Sequence, residues 1–364
     1  MVQRSDTADY RALFLNDAPL MDVRAPAEFS QGAFPNASSL PLLSDDERAQ
    51  VGICYKQRGQ AAAIELGHTL VSGAARRARL AQWLAFARRH PDGYLYCFRG
   101  GLRSRTVQQW LREAGTDYPL IEGGYKAMRR FLLEELERSV LRAALVLVSG
   151  RTGTGKTRVI ARLARSVDLE RLARHRGSSF GQLPQPQPAQ IDFENGISIA
   201  LMKLLACGDG PLYVEDEGRL IGRLYLPEVL RRQMQIAPML VVEQSLAQRV
   251  DVVIDDYIID LGRRYTALYG AAGPQRHAQK MLEDLARIRK RLGGERYREV
   301  GAAMASAFEE QRRSGSLAGH RQWVAALLRQ YYDPMYDYQL SRRGGMCLFR
   351  GDRDAVVAWA QGAR

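Results

Sequence analysis

Lysine, cysteine and histidine are all scarce in this chain. Only six of its 53 basic residues are lysine, and its 364 residues include four cysteines and five histidines. The cysteines (Cys54, Cys97, Cys207 and Cys347) show no Cys-x-x-Cys spacing and no clustering with histidine. That pattern argues against a structural metal and against a disulfide framework. No apolar run reaches bilayer length, and Met1-Val2-Gln3-Arg4-Ser5-Asp6 lacks the charged-then-apolar pattern of a secretory leader. A cytoplasmic protein with no membrane partner is expected. Acidic residues are also few beside basic ones, 40 against 53, which leaves a formal charge of +13. A GC-rich coding bias accounts for arginine over lysine, but not for the excess of base over acid. Such an excess favours a polyanionic partner, nucleic acid first.

The length allows two domains with separate cores. The first spans roughly residues 1–138, where strands alternating with helices imply a parallel α/β sheet. Pro19–Arg24 reads as a strand running into a turn. Residues 74–90 read as a helix with Leu80, Trp83, Leu84 and Ala87 on one stripe, and 104–114 as a helix stopped by Gly115. Between these helices the strand 93–96 ends in Cys97-Phe98-Arg99-Gly100-Gly101-Leu102-Arg103-Ser104. Parallel sheets place their chemistry in such loops, at strand carboxyl ends leading into helices. The amides around Gly100 and Gly101, the helix dipole, and Arg99 and Arg103 all favour an anion at the Cys97 sulfur. Cys97 therefore reads as a reactive thiol beneath an oxyanion loop. A buried structural cysteine is the competing reading, and it gives two arginines and two glycines nothing to do.

The second domain spans residues 139–364. The apolar stretch 143–149 precedes Gly150-Arg151-Thr152-Gly153-Thr154-Gly155-Lys156-Thr157, with a helix expected over 157–166. This is a P-loop in its required context. Gly150, Gly153 and Gly155 let backbone amides wrap phosphates, Lys156 reaches terminal oxygens, and Thr157 can ligate Mg²⁺. A strand over 211–214 ends in Glu215-Asp216-Glu217, of which Asp216 is the first choice as Mg²⁺ partner; a solvated acidic loop is the plain alternative. Another strand, 239–243, precedes a helix containing Arg249. Residues 182–190, rich in proline and glutamine, read as a long loop, either a lid or a tolerated insertion. The last third is mostly helical. Arg289, Lys290 and Arg291 in a basic run, and Tyr332, Tyr336 and Arg342 near the end, are candidate RNA contacts, since tyrosine stacks on bases and arginine neutralises phosphate. A solvated helix face and ordinary core tyrosines explain the same residues equally well.

Several segments resemble known families. Asp22-Val23-Arg24, Glu28-Phe29, Pro35-Asn36-Ala37, the Cys97 loop and Glu122-Gly123-Gly124-Tyr125-Lys126-Ala127 are similar, in that order, to a rhodanese domain. That resemblance implies a chalcogen carried by Cys97. Five residues separate Cys97 from Arg103, one more than in common sulfurtransferase loops, a spacing shared with cysteine phosphatases; the residues of this loop alone leave a phosphatase open. The fold expected is α/β throughout: an N-terminal rhodanese-like parallel-sheet domain, then a C-terminal P-loop NTPase-like α/β domain with a helical C-terminal region. That order in one chain, with Tyr55-Lys56-Gln57-Arg58-Gly59-Gln60, Leu66-Gly67-His68 and Tyr331-Tyr332-Asp333-Pro334-Met335-Tyr336, resembles the tRNA 2-selenouridine synthase family. The resemblance implies tRNA carrying 2-thiouridine at the wobble position as substrate. The P-loop would bind geranyl diphosphate for S-geranylation, and selenium from selenophosphate would then replace the S-geranyl group. Cys97 would take the selenium, with Arg99 and Arg103 on the selenophosphate oxygens and the selenophosphate-producing enzyme as a further partner. No tightly bound cofactor is implied, beyond Mg²⁺ at the P-loop. An ATP-dependent tRNA thiolation enzyme or a non-catalytic oxyanion- and nucleotide-sensing module would use the same two loops.

Overall fold

The computed structural model describes residues 4–341 and 345–362, and these form two compact units. The first contains the residues up to Arg138 together with Ala189–Lys203; the second contains Ser139–Pro188 and the chain from Leu204 onward. The segment Ala189–Lys203, which the sequence reading gave to the second domain, thus belongs with the first. Its helix is apolar, and Ile199 and Met202 bury themselves with Leu13, Phe34, Met128 and Leu132.

In the first unit the elements run α1 (Tyr10–Leu15), β1 (Leu20–Asp22), α2 (Pro26–Ser30), β2 (Ala37–Ser39), α3 (Asp45–Leu70), α4 (Gly73–Arg89), β3 (Tyr94–Tyr96), α5 (Leu102–Glu113) and α6 (Gly124–Arg142), with most of α9 (Gln190–Ala206) added. The sheet order is β2-β1-β3, all parallel, with Met21 opposite Ser38 and Leu95. Strand side chains alternate between faces. Accordingly Met21 and Leu95 join a core with Trp83, Phe86 and Leu111, whereas Leu20 and Tyr96 join another with Ile121 and Met128. A sheet covered on both faces is the usual state of parallel strands.

The long α3 was not anticipated from sequence. Its start carries a capping box: Ser44 Oγ accepts from the Glu47 amide at 3.2 Å, and Glu47 Oε2 accepts from the Ser44 amide at 2.7 Å. Gly59, at φ +85°, breaks the helix into two stretches, and no β-carbon sits comfortably at that φ.

The second unit holds β4 (Ala144–Ser149), α7 (Lys156–Ile160), β5 (Ser166–Val167), α8 (Leu169–Ala173), β6 (Pro211–Glu215), the hairpin β7 (Leu220–Ile221) and β8 (Leu224–Tyr225), α10 (Glu228–Ile236), β9 (Met239–Val242) and α11 (Leu246–Val253). After these come α12 (Leu261–Tyr269), α13 (Gly273–Leu292), α14 (Gly294–Ser314), α15 (Ala318–Leu327), α16 (Asp333–Ser341), β10 (Cys347–Gly351) and α17 (Arg353–Gly362). Two π-helical stretches, Ile254–Asp260 and Leu328–Tyr332, continue α11 and α15. The sheet is parallel, in the order β10-β9-β4-β6-β5. The helix after the P-loop is much shorter than expected. Ser166 Oγ donates to the carbonyls of Ile160 and Leu163, at 2.8 and 2.7 Å, and turns the chain into edge strand β5. The C-terminal helices surround their own core of Ile258, Leu261, Met281, Leu285, Trp323 and Leu327. Among the described residues no helix is long and apolar enough to cross a membrane.

Candidate active site

The cysteine loop leaves β3 and enters α5, the position expected of a working loop. Cys97 is buried at 3% exposure. The Gly123-Gly124 turn closes over it: the Tyr125 amide donates to the Cys97 carbonyl at 2.9 Å and the Lys126 amide to the Phe98 carbonyl at 3.0 Å. A β-carbon on Gly124 would lie 2.3 Å from the Cys97 carbonyl, and Gly100 sits at φ +64°, so both glycines are needed. Beside the strand that leads into the loop lies a buried ion pair. Arg24, 2% exposed, holds Asp22 through Nε and Nη2, and Asp22 also accepts from Tyr96 Oη at 2.7 Å. The Arg24 guanidinium lies 3.8 Å from the Tyr125 ring centroid. Asp22 and Arg24 thus brace Tyr96 and Tyr125, which flank the loop, while the Cys97 side chain packs with Met21, Val23 and Leu95 in the apolar core.

The loop arginines differ. Arg103 reaches Glu28 with both Nη atoms, at 2.5 and 3.1 Å, and Arg48 joins the same carboxylate at 3.1 Å. Burial pushes the Glu28 carboxyl up, but Arg103, the Ala25 amide and Arg48 together hold it below the usual carboxylate range. Arg103 is thus engaged with Glu28, a residue quoted from sequence only as part of the resemblance. Arg99 is exposed. Ser104, in the first turn of α5, is wholly buried, yet its hydroxyl has no hydrogen-bond partner among the described residues. Beside the loop opens a groove of about 1120 Å³ between α3 and α5. Across the loop, Arg99 and Gly100 also line a polar depression with Arg105, Gln109 and Arg112.

The P-loop lies between β4 and α7. Gly150, Gly153 and Gly155 all have positive φ, at 152°, 83° and 78°. Side chains there would strike Val242 O, Arg249 O and the Arg353 side chain, respectively. Lys156 Nζ donates to the Gly150 carbonyl at 2.9 Å, which folds the lysine back over the loop, and Thr157 Oγ1 donates to Glu170 at 3.1 Å. Thr152 of the loop also lines a narrow apolar cavity whose walls include Phe180, Tyr257, Trp323, Leu327 and Leu328. Both π-helical stretches contribute to it, and such stretches often accompany functional sites.

Carboxylates crowd this loop. Glu215, 1% exposed, accepts from the Glu170 amide at 3.1 Å, and its Oε1 has no partner among the described residues. Burial raises the carboxyls of Glu170, Glu215 and Glu217, and their mutual repulsion raises them further. Asp216, the sequence choice for Mg²⁺, accepts instead from Ser149 Oγ at 2.5 Å, and that hydroxyl also meets Tyr336 Oη at 2.5 Å. The acid beside Thr157 is Glu170, which sequence reasoning missed because it lies outside the acidic run. Among the described residues no three His, Cys, Asp or Glu side chains are arranged to hold a metal ion by themselves. The donor set nevertheless fits Mg²⁺, which commonly takes one or two carboxylates together with phosphate oxygens.

The C-terminal motif lies against the P-loop. Arg249, 3% exposed, donates to the Thr152 carbonyl at 2.9 Å and to both oxygens of Asp333. Arg151 makes a two-pronged contact with Asp337. Two candidate RNA contacts are corrected by this arrangement. Tyr332 is 6% exposed within the helical core and offers no ring face to a base, and Tyr336 is turned inward onto Ser149. Arg289, Lys290 and Arg291 are exposed at the end of α13. Arg342 lies outside the described residues. The 182–188 stretch is pinned: Gln187 Nε2 donates to the carbonyls of Ala173 and Ile221, both at 3.0 Å.

Comparison with known proteins bears on both units. Residues 143–364 match a family model described as the tRNA 2-selenouridine synthase AAA domain. A tRNA 2-selenouridine synthase from Marinobacter nauticus is 52% identical over 99% of both chains. One from Azotobacter vinelandii is 54% identical over 98% of this chain and 97% of its own. One from Cupriavidus pinatubonensis is 52% identical over 98% of each.

Proposed function

Since the chain belongs to the tRNA 2-selenouridine synthase family, we propose that it is a transferase that converts 2-thiouridine at the tRNA wobble position into 2-selenouridine. The route passes through an S-geranyl intermediate, with geranyl diphosphate and selenophosphate as co-substrates. The observation that carries the geranyl step is the apolar wall that adjoins the phosphate loop at Thr152; the cavity there, about 30 Å³, would have to widen to admit a ten-carbon chain. A prenyl diphosphate has those two parts, an anionic head and a hydrocarbon tail. A purine nucleotide would need polar partners for its base, and the residues around this cavity are almost all apolar or aromatic.

The chemistry follows from what each loop holds. A thiocarbonyl sulfur attacks C1 of geranyl diphosphate, and the diphosphate leaves toward Lys156 and the loop amides, which stabilise its charge. Mg²⁺, held through Thr157 and Glu170, would supply further charge neutralisation to the leaving group. Alkylation turns the sulfur into a leaving group and makes C2 of the base open to attack. Selenium then enters at the cysteine loop, where Arg99, the Gly100 and Gly101 amides and the start of α5 bind the selenophosphate oxygens: its selenium attacks C2, the C2–S bond breaks with geranyl thiolate leaving, and water cleaves the P–Se bond to release phosphate. Arg103 supports this loop through Glu28, and the exposed Arg289, Lys290 and Arg291 offer tRNA phosphate contacts. A cytoplasmic setting and hand-over from a selenophosphate-producing enzyme accord with this reading.

Nucleoside mass spectrometry tests it. Full-length protein with 2-thiouridine tRNA, geranyl diphosphate and selenophosphate is expected to yield S-geranyl-2-thiouridine and 2-selenouridine. An unchanged nucleoside that reacts only when ATP is added would replace this reading with ATP-dependent thiolation.

A further inference from the structure

The groove beside Cys97 has no place in the chemistry described so far. It lies between the two stretches of α3 and the start of α5, with Arg99, Leu102 and Arg103 of the cysteine loop forming one wall. Its walls are mostly apolar. Ile53, Tyr55, Ile64 and Leu102 are 55%, 58%, 38% and 52% exposed, so large apolar side chains are held open to solvent around it. Apolar surface gathered in one concave patch marks a binding site more often than scattered exposed residues do. The patch is not uniformly greasy, because Lys56 and Arg99 line it as well. Its volume of about 1120 Å³ is at the upper end of small-molecule sites, which run to about 1,000 Å³.

We propose that this groove receives the prenyl chain of the S-prenylated uridine while selenium is exchanged at the cysteine loop. The inference rests on the S-geranyl reading above and assigns a second prenyl subsite, separate from the cavity at Thr152. The occupant follows from the chemistry of the walls: a hydrocarbon chain attached to an anionic RNA suits apolar walls beside Lys56 and Arg99. It also follows from the position. When the C2–S bond breaks, the chain must be housed within one residue's reach of the selenium donor, and the groove shares Arg99, Leu102 and Arg103 with the loop that holds it. An apolar lining also gives the departing prenyl thiol somewhere to go other than water.

The test uses synthetic anticodon stem-loops carrying S-methyl-, S-prenyl- or S-geranyl-2-thiouridine, full-length protein and selenophosphate. Wild type is expected to show a KM that falls as the chain lengthens, by at least about tenfold from methyl to geranyl. Ile64→Asp and Ile53→Ser, both at exposed positions, are expected to flatten that dependence while leaving geranylation of 2-thiouridine RNA by geranyl diphosphate unchanged. Retained geranylation reports that each variant is folded. A variant whose KM keeps its chain-length dependence, or a wild type with none, would overturn the groove assignment and leave the S-geranyl route standing. A wild type that selenates 2-thiouridine RNA but no S-alkylated RNA would remove that route and the groove assignment with it.

Discussion

The two loops share a plan and differ in what supports them. Each follows a parallel strand, turns on glycines and opens a helix, so each presents amides and a helix dipole to an anion. Beside the strand that enters the cysteine loop lies a neutralised pair, Asp22–Arg24, and the loop's second arginine is paired with Glu28. Beneath the P-loop lie carboxylates, and Lys156 and Arg249 supply the cations. The cysteine loop is thus close to neutral apart from Arg99, suited to a small oxyanion delivered next to a thiol. The P-loop sets Lys156 beside buried carboxylates whose hold on protons is raised by burial and mutual repulsion, suited to a ligand that brings its own cation. The adjoining spaces differ too, a groove of about 1120 Å³ in one case and a cavity of about 30 Å³ in the other.

The largest effects should separate the two loops outright. On the route proposed above, Lys156→Ala removes the cation assigned to the leaving diphosphate and should cut geranylation by about 100-fold or more. Supplied with pre-geranylated RNA, the same variant should still make 2-selenouridine. Cys97→Ala should do the reverse, with S-geranyl-2-thiouridine accumulating in the digested tRNA. Equal loss of both steps in either variant would mean that the loops do not divide the labour.

Smaller effects should distinguish how the loops are held. Arg249 is almost fully buried and ties Thr152 to Asp333, so Arg249→Ala strands a largely buried carboxylate. The expected destabilisation is about 3–5 kcal/mol, read from the urea midpoint. Arg103, with its side chain 24% exposed against a 12% exposed Glu28, lies nearer the surface. Arg103→Ala should cost clearly less in the same measurement, about 1 kcal/mol. Similar losses in the two variants would contradict the contrast drawn between the loops.

Both loops were legible in the sequence because each is continuous: its glycines and cations, with Cys97 in the first, fall within eight residues after an apolar strand. What supports them was less legible, because it comes from distant segments. Nothing local connects Glu28 with Arg103, Glu170 with Thr157, or Asp333 with Arg249. The Tyr332 and Tyr336 cluster looked like a base-stacking surface because tyrosine beside arginine has the same composition in a core as at an RNA interface. Burial decides between them, and burial is a tertiary property. The helix α3 is a different case. Ser44 and Glu47 spell a capping box, a local signal that was present and overlooked, and the groove of the cysteine unit is built on that helix.

A further effect concerns protons at the P-loop. Burial and mutual repulsion raise Glu170 and Glu215 to about 8, so the folded protein holds protons that the unfolded chain has already released. Stability then falls as pH rises through and above the ordinary carboxylate range, because the unfolded chain gives up those protons first. Glu170→Gln removes one of these groups, so the melting temperature of the ligand-free variant should fall less steeply between pH 5 and pH 8 than that of wild type. Mg²⁺ with diphosphate should flatten the wild-type slope as well, because a cation at the carboxylates displaces the same protons. Parallel slopes for wild type and Glu170→Gln would show that these carboxylates are already ionised, and the cysteine loop's neutralised pair would then have no counterpart in protonated P-loop carboxylates. The corresponding substitution at the other loop, Glu28→Gln, should act with the opposite sign. Glu28 lies below its usual range, so its contribution is present at neutral pH and is lost on acidification.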